Sequence, residues 1–333
     1  MSFMCSKKWY DHISSIVIEY AESFNQYLSG KGDPDIANSL SYIDERKGSP
    51  FAAMSILKQP VYAACAHALW AERDLPKFKR YAYQLGKLEI LSSMDWDYPE
   101  PFFLCAETPN VANPLFVMLM SDSPKIRSFL LRNIDLISND TEEFADRYDL
   151  NRQLKYNTLL MLEGTQLERL ERRSLNVLEN QQQSKWLQLR CEDFLFFLAF
   201  ARQDPAAMRQ ALDPLFEKKR ARQAAKETLS YFDFFLQPQI VMYAKIAAIH
   251  GFDLGIDHEI APKEAIAYAP LPEGEYQDPF DFMRTYDLDF PYEYLQNWVD
   301  YYTGQTDTLG LRFRQRTVAV GFAHNAVQQP MFF

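Results

Sequence analysis

The stretch from Lys185 to Pro262 constrains the fold more than any other part of the chain. It opens on Trp186, Leu187, Leu189, Phe194, Leu195, Phe197, Leu198 and Phe200, apolar nearly all round, which predicts a helix almost wholly buried. Asp204-Pro205 stops that helix and caps the next, because Asp accepts from free first-turn amides and Pro tolerates the first helical position. A basic helix follows over Lys218 to Lys226, then an apolar one through Ile240, Val241, Tyr243, Ile246 and Ile249. His250-Gly251 closes it, Gly supplying the left-handed C-cap. Such a block predicts an all-α fold of stacked antiparallel helices, with at most a short extended pair near Phe252 to Ile256. Only 11 glycines in 333 residues fit poorly with a sandwich or a glycine-turn nucleotide fold.

The remaining segments carry the same period. A first helix is expected from Trp9 to Leu28 and a second from Asp35 to Glu45. A third runs from Pro50 to Glu72, with Pro60 expected to kink or divide it, and Arg73-Asp74 joins it to a partner through Phe78, Tyr81 and Leu85. Prolines between Asp95 and Asn113 predict a packed irregular loop, and Thr141 begins a short helical piece. One longer helix is expected from Arg152 to Leu178. The organisation reads as an N-terminal helical half (1–150), a central helical core (151–265) and an acidic-aromatic extension packed on it (266–333).

Composition narrows the function classes. A net charge of −10 disfavours nucleic acid as partner and suits a basic protein surface. No apolar run spans a bilayer, and no apolar stretch follows Lys7-Lys8, so a cytoplasmic chain without membrane contact is expected. The four cysteines have no short spacing, which favours reduced thiols. Motifs for zinc proteases, dinucleotides and serine hydrolases are missing, and Gly30-Lys31-Gly32 reads as a turn rather than a phosphate loop. His250, Asp253, Asp257, His258 and Glu259 form the best metal-like grouping, yet a helix-end histidine and a solvated acidic connector account for it. No catalytic residue, metal or cofactor is therefore assigned.

The unusual constellation lies between Glu273 and Tyr302, where eight carboxylates meet one arginine, a local charge of −7, interleaved with aromatic rings. Glu273, Glu275, Asp278, Asp281, Tyr286, Asp287, Asp289, Glu293 and Tyr294 are the expected partner-binding residues, carboxylates steering a cationic partner and outward rings anchoring it. The competing account places contact at hairpin ends near Arg73 or Asp204.

The order of features in the central block resembles bacterial immunity-protein family 49. The resemblance rests on Phe194-Leu-Phe-Phe-Leu-Ala-Phe, then Asp204-Pro205, the basic Lys218-Lys-Arg, Ala244-Lys245 through Gly251, and Phe252 to Asp257 leading to Pro262. Ala68 to Asp74 is similar to the family's N-terminal hairpin, so the likeness covers about 50–95 and 155–265. It implies an all-helical antidote that binds a cognate protein toxin of bacterial competition and occludes its active site, with no catalysis. The readings set against it are a helical scaffold or adaptor, and an unrecognised hydrolase.

Overall fold

Ser6 starts the first helix: its Oγ accepts from the Trp9 amide, and Ile13, Val17, Ala21 and Phe24 recur on one face that is buried. The computed structural model describes residues 3–45, 47, 50–92, 115–134, 137, 150–180, 188–225, 229 and 231–290. Among these it has fourteen α-helices and no strand, so the all-α expectation is met. The helices are α1 (Lys7–Leu28), α2 (Pro34–Asp44), α3 (Pro50–His67), α4 (Leu75–Ser92), α5 (Leu115–Met120), α6 (Pro124–Arg132) and α7 (Leu150–Glu163). Then come α8 (Leu167–Asn180), α9 (Cys191–Ala201), α10 (Pro205–Leu212), α11 (Lys218–Ala225), α12 (Pro238–Ile249), α13 (Lys263–Ile266) and α14 (Asp281–Arg284). No helix among the described residues is long and apolar enough to cross a membrane. The irregular loop at 95–113, Thr141, Trp186 and Leu187 lie outside the described residues.

Local caps fall where side-chain chemistry puts them. Asp33 accepts from the amides of Asp35 and Ile36, Asp74 from Lys77 and Asp204 from Ala207. Gly251, at φ +85°, ends α12 as expected. Of the two outcomes expected at Pro60, division does not occur: α3 runs through it. The register changes later, where α3 widens into a π turn over Ala68–Glu72 and Arg73 turns the chain at φ +54°.

The single helix expected from Arg152 to Leu178 is two. Gly164 breaks it at φ +75°, and a Cβ there would meet the His250 ring at 2.4 Å, so both backbone and packing demand glycine. The His250 ring packs on Phe200, with Nε2 3.2 Å from the Leu162 carbonyl at the end of α7. Among the described residues the nearest thing to sheet is one bridge between His258 and Ala261, beyond the extended pair anticipated at Phe252 to Ile256.

The core is one apolar cluster reaching from Met4 to Leu288. At its centre Phe197 lies edge-on to Phe194 and Tyr243, while Phe196 stacks on Tyr243. α9 is less enclosed than its sequence suggests: Leu195 is 43% and Leu189, just before it, 40% exposed, and Leu198 is half-buried.

Asp233 sits in the turn before α12, and burial pushes its carboxyl up to about 7. Because the folded state holds this proton more tightly than the unfolded chain, its contribution to stability is lost as pH rises from about 4 to 7. Asp233→Asn is therefore expected to stabilise more at pH 8 than at pH 5, by roughly 1–3 kcal/mol at the higher pH given its partial exposure. Urea unfolding at the two pH values checks this, and an equal effect at both would refute it.

Candidate functional site

Beyond α13 the chain forms a strap, residues 267–290, fastened to α4, the α5–α6 turn, α6 and α12. Its deepest anchor is Asp122, fully buried at φ +54° between two lysines. Lys245 Nζ lies 2.5 Å and Lys79 Nζ 2.8 Å from its two carboxylate oxygens. The same lysines donate to the strap, Lys245 to the Ala267 carbonyl and Lys79 to that of Ala269, while the Ala269 amide donates to Asp122. Burial pushes the Lys245 ammonium down to about 8, against the pull of Asp122. Tyr276 donates to the Ser121 carbonyl and accepts from the Leu271 amide.

The predicted site residues from Glu273 to Asp289 lie along this strap, and its carboxylates are largely paired with the body. Asp278 meets the buried Lys87 at 2.6 Å. Burial lowers the Lys87 pKa even though Asp278 opposes it. Lys125 bridges Asp287 and Asp289, at 2.8 and 3.2 Å. Partial burial pushes the Asp287 carboxyl up, but the hydrogen bonds from Lys125 and the Asp289 amide, with the positive charges of Lys125 and Lys87, together outweigh it, and the net is downward. Glu275 pairs with Arg80, and Asp281 with Arg284 within α14, while Glu273 is exposed. Tyr286 corrects the expectation of an outward ring: it is fully buried and belongs to the core. Glu293 and Tyr294 lie outside the described residues.

The metal-like grouping does not assemble. His250 is tucked under α7, whereas His258 packs edge-on between Phe3 and Phe216. No group of three or more metal-ligating side chains comes together among the described residues.

A second face is open. A cleft of about 880 Å³ lies at the α3–α4 hairpin end, bounded by the start of α1, the 235–236 turn and the 257–265 connector. The π turn swings Trp70 into it; Trp70 Nε1 donates to the Tyr10 hydroxyl at 3.0 Å, and both rings rest edge-on against Phe234. Phe235 adds a third ring to this floor. Asp11, Asp257, Glu259 and Glu264 line the cleft together with Lys7 and Arg73, all six exposed. Sequence reasoning named the hairpin end at Arg73 but missed the aromatic floor, whose rings come from three distant segments.

A family model described as immunity protein 49 matches residues 70–265. This is more than half of the chain, and it includes the 96–154 stretch that motif reading left out. No curated protein and no solved structure matches significantly.

Proposed function

The chain belongs to the immunity protein 49 family, and we propose that it neutralises a cognate protein toxin by binding it one to one and covering its active site. The observation that carries this reading is the family match from Trp70 to Ala265, which takes in most of the helical body. The family is one of inhibitors rather than enzymes, so the protein's work is recognition. An open cleft with an aromatic floor and charged rim suits recognition, since stiff rings supply contact area and rim charges orient a partner. In this reading the chain acts in the cytoplasm of the toxin-producing cell and its kin, against a toxin passed between competing bacteria.

Co-expression tests it. The product of the gene adjacent to this chain's own, induced alone, is expected to arrest growth, and co-expression of this chain is expected to restore it. Arrest that persists despite equal soluble expression would refute the reading.

A further inference from the structure

We infer that the cleft at the α3–α4 hairpin end, rather than the acidic strap, is where the toxin docks, and that it takes an apolar side chain flanked by lysine or arginine. This rests on the toxin-binding reading above. Three observations carry it. The first is how charge is used. On the strap, Glu275, Asp278, Asp287 and Asp289 are held by Arg80, Lys87 and Lys125, so their charge is largely spent on fastening the strap. Among the described residues, by contrast, no ion pair holds Glu259, Glu264 or Asp11 at the cleft, and Asp257 accepts from the Lys263 amide at 3.4 Å while its ion pair with the exposed Lys263 ammonium is long, at 3.8 Å. Four carboxylates against Lys7 and Arg73 leave the lining net acidic, which selects a cationic partner.

The second observation is the floor. Trp70 and Tyr10 are half-buried, fixed to each other by a hydrogen bond and backed by the fully buried Phe234. Rings held in this way lose little freedom on binding, as an anchor pocket requires. The third is chain geometry. Trp70 and Ala265, far apart in the chain, both line this one cleft. The π turn that presents Trp70, and the left-handed Arg73 after it, are local departures from ideal helix at the same place.

The probe is the toxin encoded by the adjacent gene, with association and dissociation followed against immobilised chain at low and physiological salt. Trp70→Ala is expected to weaken binding about thirty-fold or more, mainly through faster dissociation. Glu259→Lys with Glu264→Lys is expected to slow association about ten-fold at low salt, less as salt screens the rim. These two sites are exposed, so the variant folds even if Trp70→Ala does not, and thermal melts confirm it. The strap triple Asp281→Asn, Asp287→Asn, Asp289→Asn is expected to keep the wild-type association rate and salt slope.

Wild-type binding with unchanged kinetics in both cleft variants would overturn the cleft while leaving toxin binding intact. Slowed association in the strap triple alone would move the interface to the strap. Failure of the wild type to bind would remove the functional reading and this inference with it. A dimer of the chain alone that Glu259→Lys dissociates would make the cleft a self-interface and also overturn the inference.

Discussion

Replacing Asp122 with alanine is expected to lower the unfolding free energy by about 3–5 kcal/mol and to loosen residues 267–290. The carboxylate is fully buried, and so, within a few per cent, are Lys79 and Lys245 beside it. Removing it leaves two ammonium groups in a low-dielectric site with only backbone carbonyls as partners, and frees the Ala269 amide. Alanine also adopts φ +54° at some cost, so part of the loss would be backbone strain. Asp122→Asn separates the two, because asparagine tolerates that conformation but carries no charge. The ion network is expected to dominate, with asparagine losing most of what alanine loses. Urea unfolding together with limited proteolysis of the strap measures both effects. A change within about 0.5 kcal/mol for both variants would mean the network holds nothing.

The second large effect is expected at Phe197. Its ring is fully buried between Phe194 and Tyr243, and truncation to alanine removes contacts on both sides. A cost of about 3–5 kcal/mol follows from lost burial plus the cavity left behind. Leu195, two residues earlier on the exposed side of α9, is expected to cost about 1 kcal/mol or less on the same change. Denaturation midpoints with an unchanged m-value check the contrast, and equal costs at the two positions would contradict the packing of α9.

What could be read in advance was what is decided locally. Asp74, Asp204 and Gly251 each act on backbone groups within a few residues, so their sequence neighbourhoods contain the whole cause. The break at Gly164 was missed because half its cause is the ring of His250, on the far side of α9 in sequence. The pairing of the acidic segment was not legible for a related reason. Carboxylates at 275, 278 and 287 look unopposed along the chain, yet Arg80, Lys87 and Lys125 lie more than 150 positions earlier and face them only after folding. Tyr286 shows the same limit, since an aromatic among acids reads equally well as anchor or core, and packing makes it core. The cleft needed Tyr10, Trp70 and Phe235 brought together, which no single window displays.

Stoichiometric neutralisation is tested most directly by titrating the purified chain into an assay of the adjacent toxin's own activity, at toxin concentrations far above the dissociation constant. The account predicts a linear fall in activity that reaches zero at one equivalent, with the inhibited toxin recovered intact in a one-to-one complex. Complete inactivation by a small fraction of an equivalent, or a complex in which the toxin keeps its activity, would contradict it.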